Sequence, residues 1–189
     1  MTTRLTTRLA ALAAAGAIST LGLVATTSTA QAAAPSGDYT CTTDLGPQTV
    51  TVTPTTKLPK TTKAGKKVPA KKVTMKVVLS EGLTNGLRSL GVTSLSGEAT
   101  GAKIKVGTVK VALEDVAFKD TAVPASGPMT VKAVGTTAAF TPKKAGTLKI
   151  VAPKKFKFSS AIQGGQALTT NAPCTADGKP ATIGTLKVK

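Results

Sequence analysis

From about residue 38 onward, apolar side chains mostly take every second position and Thr or Lys fill the positions between, which is the period of strands that bury one face. Val50 and Val52 stand between Thr49, Thr51 and Thr53. Val73, Met75, Val77 and Leu79 repeat the pattern with Thr74 and Lys76 opposite, and Val109, Val111 and Leu113 alternate with Thr108, Lys110 and Ala112. The phase then slips by one residue at Glu114-Asp115 before Val116 and Phe118, which predicts a bulge or a bend. Further alternating sets are Met129, Val131 and Ala133; Leu148 and Ile150; Phe156 and Phe158 among lysines; and Leu186 and Val188.

One segment breaks the period of two. Between Ser80 and Gly91, Leu83, Leu87 and Leu90 fall at i, i+4 and i+7 behind a Ser that can cap a helix, so a short amphipathic helix is expected over residues 80–91. Gly82 and Gly86 oppose it by about 1 kcal/mol each relative to Ala. Three strand openings share one pattern: Gly107-Thr108-Val109-Lys110-Val111, Gly146-Thr147-Leu148-Lys149-Ile150 and Gly184-Thr185-Leu186-Lys187-Val188. Their flanks do not recur, so they read as shared turn-into-strand chemistry and not as a solenoid repeat. Short strands separated by Gly/Pro turns point to an all-β fold, an antiparallel immunoglobulin-like β-sandwich with one connecting helix, although no core Trp is present.

The first residues change the picture. Arg4 and Arg8, the apolar run Leu9 to Val24 and the small-x-small site Ala30-Gln31-Ala32 read as a secretory leader over residues 1–32. Residues 33–37 then form a short flexible start, and 38–189 a single soluble domain, since no other stretch is long and apolar enough to span a bilayer. The expected location is extracellular, with cell-wall association as one form of it. The whole chain carries a formal charge of +17; without the leader, 23 basic and 8 acidic residues leave +15. Arg88 is the one arginine after the leader, so the excess is lysine: hydrated point charges suited to diffuse attraction more than to bidentate docking. Cys41 and Cys174 are the only cysteines. In an exported chain an internal disulfide between them is the natural expectation, with an intermolecular bond or two free thiols as the alternatives.

Tyr39-Thr40-Cys41 with Gly46-Pro47-Gln48-Thr49-Val50, the stretch Leu87 to Gly97, and Pro173-Cys174-Thr175 resemble a family of secreted actinobacterial domains of unknown function. The resemblance covers most of the chain after the leader. It implies a β-rich exported domain with paired cysteines, and no activity.

No catalytic constellation accompanies this scaffold. The chain holds no His, so Ser/His and Cys/His mechanisms and His-based metal sites fail on composition, and there is no Gly-x-Ser-x-Gly, Ser-x-x-Lys or Walker pattern. Glu98, Glu114, Asp115 and Asp120 are acids better suited to surface ion pairs with lysines than to acid–base work. No cofactor or metal is expected, and the protein reads as a non-enzyme. Leu58-Pro59-Lys60-Thr61-Thr62 lacks the Gly and the hydrophobic tail of a wall-sorting signal.

The densest charge feature is the run Lys57, Lys60, Lys63, Lys66, Lys67, Lys71, Lys72 and Lys76, interleaved with Pro and Gly and free of acids. It reads as a flexible basic loop. Together with Lys143, Lys144, Lys154, Lys155 and Lys157 it forms the expected surface for anionic envelope polymers or other polyanions, bound without regard to sequence. The bland counterpart is a solvated loop that only keeps the domain soluble. With no aromatic in the run, base stacking is not expected. The alternative function is a carrier of an apolar ligand held between the sheets, with Leu83, Leu87 and Leu90 as a lid.

Overall fold

A computed structural model describes residues 34–44, 46–165 and 171–189. The predicted leader lies outside the described residues. The order is β1 (Gly37–Thr43), β2 (Gly46–Thr56), β3 (Thr61–Thr62), β4 (Lys72–Leu79), α1 (Glu81–Ser89), β5 (Ser94–Thr100), β6 (Lys103–Val106), β7 (Val109–Ala122), β8 (Met129–Thr137), β9 (Gly146–Val151), β10 (Lys155–Gln163), β11 (Ala172–Ala176) and β12 (Thr182–Val188). The all-β expectation holds, and so does the single helix behind Ser80, whose hydroxyl accepts the N–H of Leu83.

The immunoglobulin-like sandwich is corrected by the pairing. Eight strands run β7-β5-β10-β11-β1-β2-β4-β8, and β8 pairs back onto β7, so the sheet closes into an antiparallel barrel. A sandwich would leave two sheets with free edges; here the ring has none. Closure depends on the phase slip foreseen at Glu114-Asp115. Asp115 takes a positive φ of 53°, the register between β7 and β8 shifts between Glu114 and Ala117, and the strand turns. Opposite the bulge, Gly135 leaves no space for a side chain: a Cβ would lie 2.6 Å from the Glu114 carbonyl oxygen.

The bend gives β7 two memberships. Its last residues belong to the barrel, while Val109 to Ala112 pair with β6 and begin a second, smaller sheet in the order β7-β6-β9-β12-β3. The inner face of that sheet, with Ile104, Val106, Val111, Ile150, Leu186 and Val188, is buried in the same hydrophobic cluster as the inward residues of the barrel. Cys41 and Cys174 form a disulfide between β1 and β11, at directly opposed positions. The internal-bond expectation is therefore met. Tyr39, two residues earlier and 1% exposed, donates its hydroxyl to the Pro153 carbonyl at 2.6 Å and packs against Phe156.

Candidate functional site

The three Gly-Thr-apolar-Lys-apolar segments converge. They form the start of β7, most of β9 and the end of β12, all in the smaller sheet. Alternation sends their apolar residues inward and their Thr and Lys outward, because successive side chains of a strand face opposite sides. Lys149 stands opposite Thr185 and Thr147 opposite Lys187, which in turn is paired with Thr61 on β3. Lys103 and Lys105 of β6 extend the row, with Lys105 directly opposite Lys110. The outer face thus presents Lys103, Lys105, Lys110, Lys149 and Lys187, all exposed, among threonines. Two like charges placed directly across a ladder destabilise it. None of the eight acids belongs to the strand segments of this sheet: Asp38, Asp44, Glu81, Glu98, Glu114, Asp115, Asp120 and Asp177 fall on the barrel strands, their turns or α1.

The lysine run of residues 57–72 adjoins this face, but not as the free loop the sequence suggested. The backbone N–H of Lys187 donates to the Lys60 carbonyl, that of Lys189 to the Thr62 carbonyl, and that of Gly65 to the Pro142 carbonyl. Val68 and Phe140 exchange both backbone bonds, and Thr137 N–H donates to the Lys71 carbonyl. So tied, the segment frames a groove of about 380 Å³ edged by Lys63, Lys66, Lys67, Lys71 and Lys189, with Thr61 shared between groove and face. Of the sequence candidates, Lys57, Lys60, Lys63, Lys66, Lys67 and Lys71 gather along this segment, and Lys143 and Lys144 follow the Pro142 that anchors it. Lys72 and Lys76 lie on β4, with Lys76 opposite Lys132. Lys154 precedes β10, and Lys155 and Lys157 lie on β10 beside β11, so they belong to a different element group. Sequence reading missed the five lysines of the sheet face. The signal that could have found them was the triple recurrence itself, once read as three strands of one sheet.

The second concavity is the barrel lumen. It holds a cavity of about 110 Å³. Inward side chains from the strands of the ring line it, among them Val50, Met75, Ala99, Val131 and Phe156, and the helix adds Leu83 and Leu87. Leu90, the third residue of the expected lid, packs against the core and is not part of the lining of this space. Among the described residues, the buried polar ones are Thr84 and Thr137, and no buried side-chain polar atom lacks a partner.

Glu114 and Asp115 are both exposed at the bulge, while Asp38, Asp120 and Asp177 accept hydrogen bonds from the hydroxyls of Thr51, Ser96 and Thr40. Among the described residues, no group of three or more metal-ligating side chains comes together. Nor is any described helix long and apolar enough to cross a membrane. Burial, by removing water from the phenolate form, pushes the Tyr39 phenol up to about 12.

Comparison with known proteins places the chain in a family without an assigned activity: it belongs to the family of unknown function DUF6801, whose model matches residues 38–184. No curated protein and no solved structure matches it.

Proposed function

We propose that this member of the DUF6801 family is an exported, non-enzymatic protein that binds linear anionic polymers, with phosphate-bearing envelope polymers as the fitting class. The observation that carries the proposal is the segregation of charge: one exposed sheet face with five lysines and no acid, continued by a groove edged by five more. Lysine is compatible with phosphate as the partner group, because an ammonium attracts it as a point charge without needing the bidentate geometry of an arginine fork. The threonine hydroxyls between the lysines can donate to the same oxygens. Along a strand, alternate outward residues are about 6.7 Å apart, so neighbouring lysines can engage successive groups of an extended polymer. The disulfide is compatible with an oxidising compartment.

Immobilised inorganic polyphosphate provides the test. Five phosphate contacts at roughly 0.7 each predict that log affinity falls by about 3.5 per tenfold rise in salt, roughly a hundredfold between 50 and 200 mM. Replacing Lys103, Lys105, Lys110, Lys149 and Lys187 by Gln should abolish most retention. Replacing Lys119, Lys132, Lys154, Lys155 and Lys157 removes the same charge and should leave most of it. Equal losses in the two variants, or no retention of the unmodified protein at low salt, would defeat the proposal.

A further inference from the structure

We infer that the barrel lumen is a binding site for a small apolar group, an alkyl chain or an aromatic ring, admitted past α1. The inference is independent of the basic face. A cavity of about 110 Å³ approaches the roughly 150 Å³ in which an apolar protein cavity stays dry and takes up benzene. Its walls are mostly aliphatic and aromatic, with Thr43, Asp44, Glu98 and Ser160 as the polar members, and the buried Thr84 hydroxyl of α1 donates to the Ser80 carbonyl and accepts the Met129 N–H, which satisfies it within the protein. Against the apolar part of this lining a ligand gains by excluding water and filling contacts, which suits a hydrocarbon group. Thr43, Asp44, Glu98 and Ser160 are where a polar end would come to lie.

The helix has the properties of a lid. Nine residues long, it buries only Thr84 and Leu87, and it contains Gly82 and Gly86. It is held at its far end by Arg88, which donates to the carbonyls of Pro124 and Gly127. Elements with few buried contacts are the ones that open locally while the rest of the fold stays intact. Gly82 meets no atom that a Cβ would touch, so no close packing requires glycine there. Leu83, half-buried beside it, faces the lumen.

The test uses the intact disulfide-bonded protein with two probes, benzene and n-hexane, read by thermal unfolding and by NMR shifts of the Ala99, Ala133 and Ala172 methyls. At a hundredfold excess over Kd, Tm should rise by about 5–10 °C, with the shifts confined to those methyls. A response to benzene alone assigns the site to rings, and one to hexane alone to chains. Ala133→Leu fills the lumen and should remove both responses while the protein remains folded. If that variant fails to fold, the location of the shifts in the unmodified protein decides. No rise in Tm with either probe, shifts at the surface, or an undiminished response in Ala133→Leu would overturn the site. Gly82→Ala should slow ligand exchange about fivefold, through stabilisation of the closed helix; an unchanged rate would overturn the role of α1.

Discussion

Opening the Cys41–Cys174 bridge should be the most damaging single covalent change available to this protein. The two residues are 133 positions apart in sequence yet directly opposed on β1 and β11. In the chain-entropy model, a loop of that length restricts the unfolded ensemble by roughly 5 kcal/mol at 25 °C. For a chain of this size, 1 kcal/mol corresponds to about 2–4 °C, so reduction should lower Tm by about 10–20 °C. The two cysteines are 6% and 1% exposed, so the comparison is best made between oxidised and reduced forms of the same sequence, which keeps both side chains and adds only the two thiol hydrogens. Urea unfolding with and without dithiothreitol gives the free energies, and Cys41→Ala/Cys174→Ala provides a check free of reductant. The reduced form should also show a steeper denaturant dependence, because its unfolded chain exposes more surface. Hydrogen exchange should locate the first loss of protection at the β1–β11 seam. If oxidised and reduced curves agree within about 1 kcal/mol, the unfolded chain is already held compact by something other than the bridge, and the argument fails.

Other outcomes follow from single positions. Tyr39 is the only tyrosine, so phenolate absorbance should titrate near 12 in the folded protein and near 10 when unfolded. Because the folded state holds that proton more tightly, the linked stability is present below pH 10 and is lost as pH rises from 10 towards 12; a folded midpoint near 10 would refute the burial argument. Gly135→Ala pushes a Cβ against Glu114 and Val116 at the bulge and should destabilise by about 1–3 kcal/mol in chemical denaturation, whereas the same change at Gly127 or Gly178 meets no neighbouring atom, although each has a positive φ. Thr84→Val removes the hydroxyl that accepts the Met129 N–H and should cost about 1–3 kcal/mol through the donor left unpaired, with exchange protection lost at Met129 before the barrel strands open.

The strands that alternation revealed are those whose inward positions carry large aliphatic or aromatic side chains, as in β4, β7 and β8. Those it passed over have small or irregular inward residues. In β5 the inward row is Leu95, Gly97 and Ala99, and Gly97 is required because a Cβ there would meet the rings of Phe118 and Phe158. In β11 it is Ala172 and Cys174, flanked by Pro173. Ala99, Ala172 and Cys174 border the lumen, so the small side chains that leave space inside the barrel also erased the hydrophobic signal in the chain. Ring closure was illegible for a related reason. The bulge at Glu114-Asp115 could be seen, but nothing local tells whether a bent strand finishes a sandwich or turns back to its neighbour. The lysine candidates split likewise: the run at 57–72 was visible as a run, while Lys103, Lys105, Lys110, Lys149 and Lys187 are scattered in sequence and meet only through the order of the smaller sheet.

The twelve strands of the described residues could offer a long template for fibrillar growth, yet the order of pairing leaves little of it. The barrel has no rim strand, and the smaller sheet ends on one side at the short Val109–Ala112 stretch of β7 and on the other at β3, a strand of two residues set between Lys60 and Lys63 with Pro59 just before. An incoming chain would find few unpaired amides there, and would meet ammonium groups on either side of them. On the β3 side the sheet therefore offers little template for edge-to-edge addition of another chain.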